Sequence, residues 1–225
     1  MTIASPLRAV LNRTGVPGLS CRGATHTVRS ARLELAVARV RDVIQFSAAA
    51  DEVMRYRHGY SQAAYAEGLI GLDPDLPVWS PDLAKFVARE RGTGRLVADL
   101  NLYVQFGHQV HVGGSVVAEA RGQGYGREAL DLVCAIAHRH LGLRYVGARC
   151  EADNVASWRW LMSAGFVRIT GDPTHVLPDG REVETLWWLH SAPEPQRRCN
   201  SPHGPGAALH LTDRTASGEN PISKT

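Results

Sequence analysis

A strand that runs into a glycine-rich turn and then into a helix is the feature that most narrows how this chain can fold. Residues 109–118 read as the strand, and residues 124–141 read as the helix. Between them stands Arg121-Gly122-Gln123-Gly124-Tyr125-Gly126, with three glycines in five positions. In the helix, Leu130, Val133, Ala137 and Leu141 line one face, Glu128 and Asp131 lie in the first turns, and Gly142 closes it. Glycines leave backbone N–H groups uncovered, and the positive end of a helix attracts anions. A diphosphate is the natural ligand for such a turn.

The rest of the pattern sets the architecture. Alternating apolar residues place strands at 33–37, at 85–90 and 96–104 around Arg91-Gly92-Thr93-Gly94, and at 145–150. Two more, at 166–170 and 183–189, flank Pro178-Asp179-Gly180. A helical region spans 43–70, and a short helix runs from Asn154 to Ala164 with Gly165 as its stop. Gly113-Gly114 interrupts the strand at 109–118, which marks a bulge or the close approach of another backbone. The expected fold class is α+β, a mixed sheet with antiparallel hairpins on both sides of one strand–helix–strand unit.

Of 225 residues, 1–28 lack periodicity and read as a disordered leader that superficially resembles a transit peptide. Residues 192–225 are rich in Pro, Ser, Gly, Asn and Thr and read as a disordered tail, which leaves 29–191 as one domain. Of the formal net charge of +3, five positive charges fall in 1–32 and a net one in 191–225, leaving −3 for 33–190. The expected folded part is mildly acidic, so a basic nucleic-acid groove is not expected. No run of 18 apolar residues suits a membrane span. Cys21, Cys134, Cys150 and Cys199 show no CxxC spacing and read as free thiols in the cytoplasm, and the histidines lack metal-ligand grouping. No metal is expected.

Two diphosphate readings follow from the turn. Gly124-Tyr125-Gly126-Arg127-Glu128-Ala129 fits the dinucleotide pattern G-x-G-x-x-A, with Glu151 closing the next strand 25 residues on, which would make a nicotinamide (NAD)-dependent oxidoreductase. A Rossmann unit, however, usually runs its strand straight into the first glycine, and here Glu119 and Arg121 intervene. No GxxxxGK[ST] occurs.

The second reading rests on a resemblance. Arg121-x-x-Gly124-x-Gly126 resembles the acetyl-CoA pyrophosphate signature of the GNAT N-acetyltransferase superfamily. Asn154-Val155-Ala156-Ser157, followed by Gly165-Phe166, looks like that family's second motif, and the chain looks most like the ribosomal-protein N-terminal acetyltransferase branch. The resemblance covers roughly 30–190. It implies a single domain with a bulged central strand and a splayed parallel strand pair. It also implies transfer of an acetyl group from acetyl-CoA, as co-substrate, to a primary amine by direct attack on the thioester. The main chain of Arg121, Gly122, Gln123, Gly124, Tyr125, Gly126 and Arg127 would then hold the pyrophosphate. The strand at Val116, Val117 and Ala118 would hold the pantetheine, and Asn154 and Ser157 would contact cofactor, although Asn154 also suits a helix cap.

Many relatives carry a tyrosine five residues before the phenylalanine of the Gly-Phe pair as general acid; here that position is Leu161, which leaves Ser157 or water. His111 stands where such relatives often carry glutamate, and it is the candidate base, with a strand histidine of no catalytic role as the alternative. The acceptor is a small-molecule or peptide amine, with 52–69 and 171–184 expected to form its cleft. The protein is expected to act as a monomer or homodimer. An acyl-CoA-binding sensor without turnover is the non-enzymatic alternative.

Overall fold

The computed structural model describes residues 25–59, 61–80, 83–105, 109–140 and 143–192, together with short strands at 13–14, 19–22, 201–202 and 209–210. After the short strand at 19–22 comes β1 (Thr25–Arg29), which pairs with it, and then β2 (Leu33–Val37). Helices α1 (Val40–Ala48), α2 (Glu52–Arg57) and α3 (Ser61–Glu67) follow, and then β3 (Val78–Ser80). Three long strands come next, β4 (Leu83–Glu90), β5 (Leu96–Gln105) and β6 (Gln109–Val116). After the turn lie α4 (Tyr125–Ala135), β7 (Tyr145–Glu151), α5 (Val155–Ser163), β8 (Val167–Ile169), β9 (Thr174–Val176) and β10 (Glu182–Ser191).

One mixed sheet carries the order β8-β10-β7-β6-β5-β4-β2-β1. The β6–β7 pair is parallel, and its neighbours on both sides are antiparallel. Alternation sends Val146, Ala148 and Cys150 of β7 into the core beneath α4 and α5, with Leu130 and Val133 of α4 fully buried. Phe86, Leu100 and Leu102 have no solvent exposure and anchor the central strands. Burying a residue of this kind contributes about 1.5–3 kcal/mol.

Several expectations are refined. The helical region expected at 43–70 is three helices, because the Asp51 carboxylate accepts the Met54 N–H at 2.9 Å and starts a new one, and Gly59 at φ 58° separates that one from the third. The helix expected to reach Leu141 is α-helical to Ala135 and continues as a π-turn through Ile136–His140. The strand expected to reach Ala118 ends at Val116, and Ala118–Ala120 forms a 3-10 turn. β9 was not expected; it pairs with the start of β10 across the Pro178-Asp179-Gly180 turn.

The glycine pair in β6 leaves its register with β5 unbroken, from Ala98↔Val116 to Gln105↔Gln109. No extra residue is inserted on that side, and the sheet's register shift lies instead between Ala88 and Arg89. Close approach explains Gly114, since a Cβ there would strike the Asp99 carbonyl oxygen. The disturbance falls on the opposite edge of the strand, where β6 and β7 share the single register pair His111↔Gly147 and then separate. Of the expected leader, 25–28 lie in β1, with Val28 buried against the core. Most of the remaining leader and tail lies outside the described residues.

Candidate active site

The turn after β6 is built from left-handed glycines. Gly124 precedes α4 at φ 80°, a conformation a side chain resists, and Gly122 stands at φ 73°. Glu128 is the first residue whose N–H reaches back into the helix, to Gly124 O at 3.3 Å. The amides of Tyr125, Gly126 and Arg127 come before it, so they have no acceptor within the helix and point outward together. The amides of Gly122 and Gln123 continue this crown.

Buttresses stand behind it. Arg32 donates to Gln123 O at 3.0 Å and to Glu128 Oε2 at 2.7 Å, and its guanidinium lies 4.4 Å from the centre of the Tyr125 ring. The Tyr125 hydroxyl donates to Glu90, and that bond, with one from Thr93, holds the Glu90 carboxyl below its ordinary range. Gln123 Nε2 donates to Glu119 O at 2.6 Å. Tyr125 is 6% exposed, so its side chain fixes the crown rather than meeting a ligand. Arg127 faces solvent, 3.8 Å from Asp131.

Main-chain parity decides which strand groups face the gap between β6 and β7. Val117 N–H bonds Val97 O at 2.9 Å and Val117 O accepts from Ala120, so both its backbone groups are committed. In an antiparallel pair the next residues turn the other way, so Gly114 and Val116 present theirs toward β7. Ala118 O accepts the Arg121 N–H at 3.3 Å. Arg121 itself closes the corner: Nε donates to Val116 O at 3.1 Å, and its two terminal nitrogens grip Asp51 at 2.7 and 2.9 Å. That pair holds the Asp51 carboxyl below its usual value and ties the start of α2 to the turn. A half-exposed pair of this kind is worth about 1 kcal/mol or less. Arg121→Ala is accordingly expected to weaken acetyl-CoA binding by no more than about tenfold in a calorimetric titration, because main chain carries the anion contact.

Asn154 caps α5, its Oδ1 accepting the Ser157 N–H at 3.2 Å. The Ser157 hydroxyl lies beside the Cys150 thiol, which burial pushes up. Leu161, at the position of the missing tyrosine, is a core residue at 4% exposure.

His111 lies where the parallel strands part. A Cβ on Gly147 would come within 2.6 Å of His111 Nε2, so the bare backbone of Gly147 is what lets the ring lie across β7. Tyr103 and Trp187 flank the ring at 5.9 and 5.8 Å between centroids. The residue is 2% exposed, and Nδ1 is buried with no hydrogen-bond partner among the described residues. Burial, with the Arg149 charge adding to it, pushes the imidazole down to about 4. It is neutral at pH 7.

The same face carries groups the sequence did not single out as a site. His58 Nε2 lies 2.5 Å from Ser115 Oγ, and burial, with Lys85 adding, pushes His58 to about 4. Lys85 pairs with Asp99 at 3.1 Å, both buried, and sits 5.3 Å from the Tyr65 ring centre. The hydroxyl of Tyr65 and Gln62 Oε1 are buried there without partners among the described residues. Arg57 bonds both Glu151 and Asp153. The segments 52–69 and 171–184, expected to form the acceptor cleft, touch one another: Arg181, in the β9–β10 hairpin, donates to Tyr56 O and lies 3.7 Å over the Tyr56 ring. No cluster of metal-ligating side chains exists among the described residues.

An amide crown at a helix start thus opens beside two parallel strands that part at one residue pair. Residues 32–167 match the family described as acetyltransferase (GNAT) domain, and the chain belongs to that family, enzymes that move an acetyl group from acetyl-CoA to an amine. Solved structures share the fold at low identity. A putative ribosomal-protein-serine acetyltransferase from Vibrio cholerae aligns with TM-score 0.58 at 18% identity, over 74% of this chain and 97% of its own. The ribosomal-protein-S5-alanine acetyltransferase from Vibrio fischeri aligns at 0.56 and 15%, over 76% and 99%. The spermidine N-acetyltransferase from Vibrio cholerae, in complex with CoA and spermine, aligns at 0.55 and 12%, over 72% and 96%. A search of curated proteins finds no match to the sequence.

Proposed function

We propose that this enzyme binds acetyl-CoA with its pyrophosphate on the amides of the turn 122–127, the Arg121 amide being committed to Ala118 O, and its pantetheine in the gap between β6 and β7, and that an amine attacks the thioester directly. The observation that carries this reading is the gap itself, opening at His111↔Gly147 with the main chain of Gly114 and Val116 turned away from β5 toward it, Val116 O meanwhile accepting from Arg121 Nε. Pantetheine amides pair there as an added strand would, and Arg121 Nε exchanges Val116 O for the ligand. Ala118, Asn154 and Ser157 border the same channel. Val117 holds its neighbours in register.

In the transfer step the amine nitrogen forms a bond to the carbonyl carbon, the C–S bond breaks, and the nitrogen loses a proton. His111, neutral at neutral pH, takes that proton directly or through water, and Ser157 or water protonates the departing thiolate. His111→Ala is expected to lower kcat about 100-fold. The variant's rate should rise more steeply toward alkaline pH, where the amine arrives already deprotonated. Turnover equal to wild type, with an unchanged pH profile, would transfer the role to a water chain or to His58.

The domain that acts is 29–191, in the cytoplasm, as a monomer or homodimer. Because residues 27–29 of β1 pair with β2, a truncation should keep that strand. Deleting 1–24 and 193–225 is expected to leave acetyl-CoA affinity within about twofold, and a larger loss would move the boundary outward.

Thiol release across a panel of amines, with thermal shifts in acetyl-CoA, CoA and NADH, tests the reading. A ligand at 100 times its dissociation constant stabilises by about 2.7 kcal/mol. Shifts with acetyl-CoA but no thiol release would leave a sensor. A shift with NADH alone would favour the oxidoreductase, against which stands the antiparallel return of β10 beside β7. The solved relatives named for ribosomal proteins and spermidine suggest two acceptor classes, a peptide amine and a polyamine.

A further inference from the structure

Arg149 distinguishes itself from every other half-buried arginine of the described residues. Arg39, Arg55, Arg57, Arg89 and Arg181 each pair with a carboxylate, and Arg149 pairs with none. It projects from β7 two residues past Gly147, on the lip where β6 and β7 have parted. Gly147 shares its face of the sheet, and so does Trp187, the register partner of Arg149 in β10. The neighbours are neutral and largely aromatic. The Trp187 ring centre lies 5.9 Å from the guanidinium, the buried Tyr103 hydroxyl lies beside it, and its charge reaches both His111 and His175. Trp187 Nε1 is already committed to Asp172 O at 2.7 Å, and His175 Nδ1 lies 2.6 Å from Thr185 Oγ1.

A partly desolvated cation without a counter-charge is costly, and folding has left nearby acids unable to serve. Glu151 and Asp153 are taken by Arg57, and Asp99 by Lys85. The guanidinium fork matches an oxyanion in two parallel bonds, so an anion would be held on this lip, beside His111, in preference to a cation.

We infer that Arg149 is a specificity-determining residue that binds an oxyanion borne by the acceptor, so that the substrate is an amine carrying a carboxylate or phosphate a few bonds from the nitrogen. The inference rests on the acetyltransferase reading and sharpens it: a polyamine, which would add positive charge beside Arg149, is the wrong substrate.

The test uses the full chain and matched acceptors. Free α-amino acids are set against their amides, and phosphoethanolamine against ethanolamine, with thiol release giving kcat/KM for each. The best anionic acceptor should exceed its uncharged partner at least tenfold. Arg149→Gln should collapse that ratio to within about twofold, and Arg149→Lys, which keeps the charge and loses the fork, should fall between. Circular dichroism and melting curves confirm that the variants fold; if Arg149→Gln does not, the Arg149→Lys ratio decides alone. Which pair shows the preference separates carboxylate from phosphate. Equal rates within both pairs, preference for spermidine, or a ratio that survives Arg149→Gln would overturn the inference. Absence of turnover with every amine would instead sink the acetyltransferase reading. The inference would then stand or fall on whether CoA-loaded protein binds the acids at least tenfold more tightly than the amides.

Discussion

Gly124→Val is expected to remove acetyl-CoA binding while leaving the fold. Gly124 adopts φ 80° at the start of α4, a region in which a β-branched residue is strongly disfavoured. Valine would drag the turn toward negative φ and rotate the amides of Gly122 and Gln123 away from those of Tyr125, Gly126 and Arg127. An ideal Cβ also comes within 3.4 Å of an Arg32 guanidinium nitrogen, so the brace behind the crown would shift as well. In the proposed binding mode the crown supplies most of the anion contact, so affinity should fall by at least 100-fold in calorimetry. The core beneath, Leu130 and Val133 packed under the sheet, is untouched, and far-ultraviolet circular dichroism should match wild type. Wild-type affinity in a folded Gly124→Val protein would remove the pyrophosphate site from this turn.

Acid is expected to destabilise the enzyme well before its carboxylates finish titrating. His111 falls from an ordinary 6.5 to about 4 because it is buried, with Arg149 adding to the effect. The unfolded chain therefore binds a proton more readily than the folded one. The stabilisation from keeping His111 neutral is complete above pH 6.5, and it is lost as pH falls from there toward 4. A difference of this size corresponds to about 3 kcal/mol for the one residue at 2% exposure. His58, also pushed to about 4, acts in the same direction over the same window. Urea titrations of wild type and His111→Gln between pH 7.5 and 4 separate this contribution from that of the acids. The variant should show the shallower decline, and identical slopes would mean that His111 charges freely in the native state.

Legibility in the sequence followed locality. The turn, α4 and α5 were readable because glycine spacing, capping residues and a 3.6-residue period all act within a dozen positions. The division of α1 to α3 was hidden, since the Asp51 cap and the left-handed Gly59 each interrupt a stretch otherwise rich in helix formers. β9 was hidden because it is three residues long and depends on β10 for its hydrogen bonds. The site's second half was hidden for a related reason. Arg149 acquires meaning only from neighbours on β5, β6 and β10, and its isolation from carboxylates is a property of the assembled sheet. The Asp51–Arg121 grip joins residues 70 apart, and no periodicity announces it. His111 was reachable only through the resemblance, and its burial against Gly147 was not.

The lone meeting of β6 and β7 has a mechanical consequence. A sheet transmits force through its ladder of hydrogen bonds, and here the ladder narrows to one register pair midway across the molecule. Strands β1, β2, β4, β5 and β6 form one stiff plate, and β7, β10 and β8 form another, with His111 and Gly147 as the rivet between them. Loading a cofactor arm into the gap would add rungs on both sides and weld the plates. Amide hydrogen exchange along β7 should then slow on acetyl-CoA binding more than exchange in β4, so that the substrate itself completes the sheet.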